Sequence, residues 1–255
     1  MKKKILLSII MLILLIFIIL SKENIMPNTI GSIAYNVNKK NNYIYIKENN
    51  TYIKYLVLTN NYNKTKNTLL IREKIIGNSD YITDYNGSIY KTKIYNGTKE
   101  MENYCKYEET SADIFLQKEF PNNFDEEFLE LVNITNINIP DINNYILDRK
   151  FFLLSLQELG FQDPGDESSY GSIKYFKDNG CIATNDYNIE LSWWTRSVNQ
   201  AQGTHISIGA NGNEDASIGD NAKCGIRPAF TLPNHTKIKK IYINDEIGTG
   251  YIVDY

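Results

Sequence analysis

Few residues in this chain of 255 have types and spacing that could do chemistry. Cysteine occurs three times and histidine twice. Cys105, Cys181 and Cys224 stand too far apart to make the close pair of a redox or metal motif. His205 and His235 have no Cys, His or carboxylate at zinc-ligand spacing. A serine nucleophile would call for a Gly-x-Ser-x-Gly elbow, and the chain has none. The segment ANGNEDASIGDN (210–221) is rich in oxygen ligands but departs from the calcium-loop pattern, and hairpin-turn chemistry accounts for it. No metal and no cofactor is therefore expected. What stands out instead is aromatic and basic. The two tryptophans, Trp193 and Trp194, are adjacent in LSWWTRS, with Arg196 close behind, and GIRPAF sets Arg227 in an apolar run before Pro228.

These residues support two readings. In one, Trp194 and Arg196, with His205 and Asn211 downstream, form a platform that contacts a ligand, because a guanidinium beside an indole can stack and still bind an anion or a sugar. In the other, Trp193, Trp194, Arg196, Arg227, Glu158 and Pro228 are architecture. An unpaired guanidinium inside an apolar strand is costly, so each arginine needs a carboxylate or several carbonyls. Glu158 is the first candidate partner for both, and Glu190 the second.

The elements that would position these residues follow from pattern. Strict alternation in LSWWTRS puts Ser192, Trp194 and Arg196 on one face and Leu191, Trp193, Thr195 and Ser197 on the other. An indole on each face implies a strand covered on both sides. THISI, the Asn211-Gly212 turn and the following Ala216 and Ile218 read as a hairpin. CGIRPAFTL reads as a closing strand, broken at Pro228 or lying at an edge. Upstream, Phe151 to Leu154 is a short apolar run, and Ser155-x-x-Glu158 has the form of a capping box, so a buried strand feeds directly into a helix stopped by Gly160 or Gly165. YGSIKYFKDNG reads as another short helix closed by Gly180. Two more helices start at Ser111 and Asp125. NYIYIKE, YIKYLVLTN and NTLLIREKII read as two or three antiparallel strands joined by asparagine-rich turns. The stretch around Asn86 and Asn96 carries two Asn-Gly turn signals and reads as loop or hairpin.

Composition limits the classes. The chain is 42% hydrophobic and 12% aromatic, enough for a real core. A net charge of −3, from 27 basic and 30 acidic residues, gives no basic surplus, and no nucleic-acid partner is expected. The abundance of Asn, Ile, Lys and Tyr reads as coding from an AT-rich genome. The N-terminus carries a targeting signal: three lysines precede an uncharged stretch, 5–20, that opens on Ile5 and closes on Leu20. Helical, it would span roughly 24 Å, a little short of a bilayer core, with flanking lysines able to close the gap. The expectation is a signal anchor, or alternatively a cleaved signal peptide, in 1–22, with the lysines cytoplasmic and the remainder outside. A polar tether (23–42), a folded domain (43–235) and a C-terminal extension (236–255) would follow.

The blocks FFLLSLQEL, WWTRS, ISIGANGNEDASI and GIRPAF, in that order, resemble the bacterial domain of unknown function 6273 over roughly 43–232. The resemblance implies an α+β, C-type-lectin-like fold related to formylglycine-generating proteins, with mostly antiparallel short strands and a few short helices. It withholds a function, since fold does not supply one. The close cysteine pair of formylglycine-generating enzymes is absent. If one disulfide forms in an oxidising exterior, it is Cys181 with Cys224, each just before one of two strands expected to be neighbours. The functional expectation is a membrane-anchored extracellular module that binds a cell-envelope glycan, peptide or protein. The alternatives are an enzyme of the wider formylglycine-generating superfamily and a structural envelope protein without a ligand.

Overall fold

The computed structural model describes residues 27–77, 106–140, 145–162, 171–199, 204–215 and 224–255. The stretch 5–20, Cys105, Gly165, Asn86, Asn96, Ala216 and Ile218 lie outside them, and no helix among the described residues is long and apolar enough to cross a membrane.

The structure is mixed α+β, mostly strands with a few short helices. Its main sheet has six strands, in the order β10-β11-β1-β2-β3-β9. These are β1 (Tyr43–Glu48), β2 (Thr51–Tyr62), β3 (Asn67–Arg72), β9 (Ala229–Pro233), β10 (Ile238–Asn244) and β11 (Gly248–Val253). All pairings are antiparallel except β1 with β11. Asn49 and Asn50 both take positive φ, 48° and 66°, which is what the tight β1–β2 hairpin demands and what asparagine tolerates. A two-stranded hairpin, β4 (Thr135–Ile139) with β5 (Tyr145–Arg149), and a three-stranded sheet, β6 (Trp193–Asn199), β7 (Thr204–Ile208) and β8 (Glu214–Asp215), complete the strands.

The helices are short: α1 (Ser111–Lys118), α2 (Glu126–Leu131), α3 (Leu156–Leu159) and α4 (Lys174–Asn179). Thr110, rather than Ser111, caps α1, its hydroxyl accepting from the Asp113 N–H at 3.1 Å. Phe120, Phe124, Phe128, Phe151 and Phe230 pack ring against ring between the helices and the main sheet, with centroids 5.0–5.7 Å apart.

Two boundaries move. The expected tether contains a 3-10 turn, Ile30–Ile33, whose isoleucines are fully buried, so apolar burial ties this segment into the fold. The expected C-terminal extension is β10 and β11, and the Tyr45–Ile252 pairing makes it part of the main sheet.

Candidate functional site

Strand β6 departs from simple alternation. Trp194 pairs with Ser207 and Val198 with His205, so four steps along β6 answer two along β7. Two residues bulge out, and the face assignment of LSWWTRS fails beyond Trp194 because a bulge resets the pleat. The Thr195 hydroxyl donates to the Ile206 carbonyl at 2.6 Å and holds the bulge in place. On the other side of β6, Trp193 bridges Gly225, and the Arg196 N–H donates to the Leu154 carbonyl at 3.0 Å. The strand is covered on both sides, and Trp193 and Trp194 are 0% and 2% exposed. Gly225 permits the close approach, since a Cβ there would lie 2.1 Å from Ile75 Cγ2 and 2.7 Å from the Ile76 carbonyl oxygen.

Arg196 and Glu158 meet as a fully buried, two-pronged pair. Arg196 Nη1 donates to Glu158 Oε2 at 2.7 Å and Nη2 to Oε1 at 2.9 Å. Arg196 also donates to the Asn138 and Leu153 carbonyls, each at 2.7 Å. Glu158 accepts further from the Tyr62 hydroxyl at 2.5 Å and from the Ser155 N–H at 2.9 Å. The last of these is half of the capping box, which is complete, and α3 ends at Gly160 with φ 98°. One carboxylate thus joins β2, α3 and β6. A buried charge pair is tolerated when its remaining donors and acceptors are filled in this way.

Arg227 is built differently. Its guanidinium lies 4.9 Å over the Trp193 ring, and Nε donates to the Arg72 carbonyl at 3.2 Å. No carboxylate reaches it among the described residues, so neither Glu158 nor Glu190 serves it; Glu190 is exposed and bridges Thr184. Burial pulls this guanidinium down to about 10. The stacking expected of Arg196 on Trp194 is not what the structure records: its Cζ lies 6.0 Å over the Phe152 ring. Pro228 ends the irregular approach to β9, an edge strand that opens on Ala229.

The residues read as a ligand platform are mostly inaccessible. Trp194, Arg196 and His205 are 2%, 0% and 1% exposed, and burial pushes the His205 imidazole down to about 3. Asn211 is exposed, but its side-chain oxygen accepts from the Asn213 N–H at 3.0 Å within its own turn. Cys181 and Cys224 are free, buried thiols, which corrects the expected disulfide. Burial raises both to about 11, where a thiol is protonated and inert. Among the described residues, no group of three or more His, Cys, Asp or Glu side chains could hold a metal.

What lies above the Arg196–Glu158 pair is a cleft of about 410 Å³ between the β2–β3 turn and the β4–β5 hairpin. Asn63, Thr65, Ile134, Asn136, Asn138 and Ile146 line it, with Arg196 and Tyr62 below. Asn63 Nδ2 donates to the Asn136 carbonyl at 2.9 Å and ties turn to hairpin. Ile134 and Ile146 project into solvent, 67% and 68% exposed. Thr135, beneath, shares a 2.8 Å hydrogen bond with Thr231 of β9. Sequence reasoning passed over this hairpin. Its signal was present in the alternation of TNINI, where Ile137 and Ile139 alternate with asparagines, whereas YILDR, with three apolar residues in a row, carries no such pattern.

Residues 65–234 match the family described as Domain of unknown function (DUF6273), two thirds of the chain. The chain belongs to that family. No curated protein and no solved structure matches it. The DUF6273 match holds the Arg196–Glu158 pair, Arg227 and the β4–β5 wall of the cleft, whereas β1, β10 and β11 lie outside it.

Proposed function

We propose that this DUF6273 member is a binding module of C-type-lectin-like architecture, held on the outer side of a bacterial membrane by the stretch 5–20, and that it seats a peptide segment of an envelope partner in the cleft above Arg196. The observation that carries this reading is the lining of that cleft. Asn63, Asn136 and Thr65 donate within the fold, to the Asn136 carbonyl, to Asp148 and to the Tyr62 carbonyl, which leaves their neutral side-chain oxygens to accept from a peptide backbone, and the exposed Ile134 and Ile146 give apolar side chains a footing. Beneath them, the filled Arg196–Glu158–Tyr62 network fixes the floor without spending its charge on a ligand.

The test uses the full chain and a library of short neutral peptides, with binding read by fluorescence anisotropy. Peptides with aliphatic side chains should bind saturably. Ile146→Asp and Asn136→Ala, both at exposed positions, should weaken binding about tenfold or more with little change in melting temperature. Equal affinity in wild type and variants, or chemical turnover of the bound peptide, overturns the reading.

A further inference from the structure

A second cleft, of about 260 Å³, lies where β1, β11 and the start of α2 meet. Tyr45 and Lys47 of β1, Tyr52 of β2, Asp125 and Phe128 at α2, and Tyr255 line it. All but Asp125 and Phe128 fall outside the residues matched to the family.

Two of its charged groups, Asp125 and Lys47, are engaged only weakly by the fold. Asp125 precedes α2 but makes no side-chain capping bond, and its nearest partner is the Tyr255 hydroxyl at 3.5 Å. Lys47 lies 5.6 Å from the Tyr52 ring and has no carboxylate within ion-pair distance among the described residues. Lys239, also on the wall, is held by Asp254 at 2.6 Å. The Tyr255 ring is 50% exposed and packs beside the buried Phe128, centroids 6.2 Å apart and tilted by 47°. The cleft therefore combines aromatic surface, an available carboxylate, an available ammonium and phenolic hydroxyls.

That combination discriminates between ligand classes. An organic cation meets Lys47, which already lies over Tyr52, and a multivalent anion meets Asp125. A neutral sugar ring conflicts with neither. Its C–H face suits an aromatic wall, and adjacent hydroxyls suit a carboxylate that accepts two hydrogen bonds with an ammonium that donates. Burial and the neighbouring Asp125 raise the Tyr255 phenol, which keeps it protonated as a donor. The volume is below that of a drug-sized pocket and fits one or two sugar rings. The geometry points to a binding site for a neutral saccharide, separate from the peptide cleft.

The experiment titrates the full chain with chitotetraose, cellotetraose, maltotetraose and mannotetraose, read by saturation-transfer NMR and calorimetry. At least one of these sugars should bind saturably. Tyr255→Ala and Asp125→Asn, both at exposed positions, should each weaken that sugar about tenfold or more, while Ile146→Asp in the other cleft leaves it unchanged. Circular dichroism of each variant should superimpose on wild type. Absence of saturable binding by all four sugars overturns the proposal. So does binding that survives both Tyr255→Ala and Asp125→Asn, or binding that is lost in Ile146→Asp.

Discussion

Arg196 and Arg227 are buried on different terms, and their substitutions should separate accordingly. Replacing Arg196 with Met leaves the Glu158 carboxylate enclosed with only Tyr62 and the Ser155 N–H to answer it, which should cost about 3–5 kcal/mol. Arg196→Lys should not restore the loss, because one ammonium cannot fill both carboxylate oxygens and the Asn138 and Leu153 carbonyls. Arg227→Met uncovers one carbonyl and keeps a long apolar chain against Trp193, so its cost should stay below about 2 kcal/mol. Urea denaturation of the three variants measures this, and equal losses at the two arginines would refute it. That an arginine inside an apolar run needs compensation is legible in the sequence, and so is Glu158, because the capping-box spacing marks it. Arg227's neighbours were not legible, since its carbonyl acceptor lies 155 positions away and its cation partner turned out to be an indole. His205 makes a prediction in pH. Its folded value of about 3 lies below its unfolded value near 6.5, so the unfolded chain takes up the proton first and stability falls as pH drops from about 6.5 toward 3. The contribution is roughly 1.4 kcal/mol per pH unit in that window. His205→Gln should flatten the acid limb of melting temperature against pH, and an unchanged limb in that variant would rule the contribution out.

At the scale of elements, periodicity carries information only where the element is regular. YIYIKE and THISI keep their pleat and are strands, NTLLIREKII is strand only as far as Arg72, and YIKYLVLTN is strand despite register shifts against β3 between Val57 and Tyr62. WWTRSVN is a strand too, but its bulge places Thr195, Arg196 and Ser197 all in the interior, which no alternation rule anticipates. FFLLS is wholly buried yet mostly lacks strand pairing, apart from the Phe152–Ala229 bridge, because it serves as a spacer between β9 and β6. The C-terminal segment, expected as an extension beyond the domain, is β10 and β11 of the main sheet. Its partner is β1, some two hundred residues earlier, and that parallel pairing is invisible locally. Removing residues 236–255 should therefore do more than shorten the protein. It uncovers one edge of β1 and removes the buried Ile238 and Val253, so the loss should reach at least about 3 kcal/mol and promote self-association through the bared strand. Chemical denaturation and light scattering of the truncated chain measure the two effects, and a truncated chain with wild-type stability would show that the hairpin is an appendage.

For the whole molecule, the two clefts draw on different parts of the chain. The cleft above Arg196 is walled largely by residues within the family match, and the cleft beside Tyr255 largely by β1, β2, β10 and β11 outside it. The anchor reading rests on the sequence of the first residues, where three lysines precede an uncharged apolar stretch that would span roughly 24 Å as a helix. The full chain should therefore sediment with membranes and stay in the pellet through alkaline carbonate, which strips proteins held by charge alone. Protease added to intact cells should degrade the domain beyond about residue 30 and leave the lysine-bearing end protected. A variant with Lys2, Lys3 and Lys4 changed to Glu should lose its preferred orientation, so that part of the population becomes resistant to external protease. If a cleaved signal is present instead, the domain appears in the medium with a new N-terminus near Ser21. A full-length pool in the cytosol, untouched by external protease, would remove the domain from the envelope, leaving both clefts to find their ligands elsewhere.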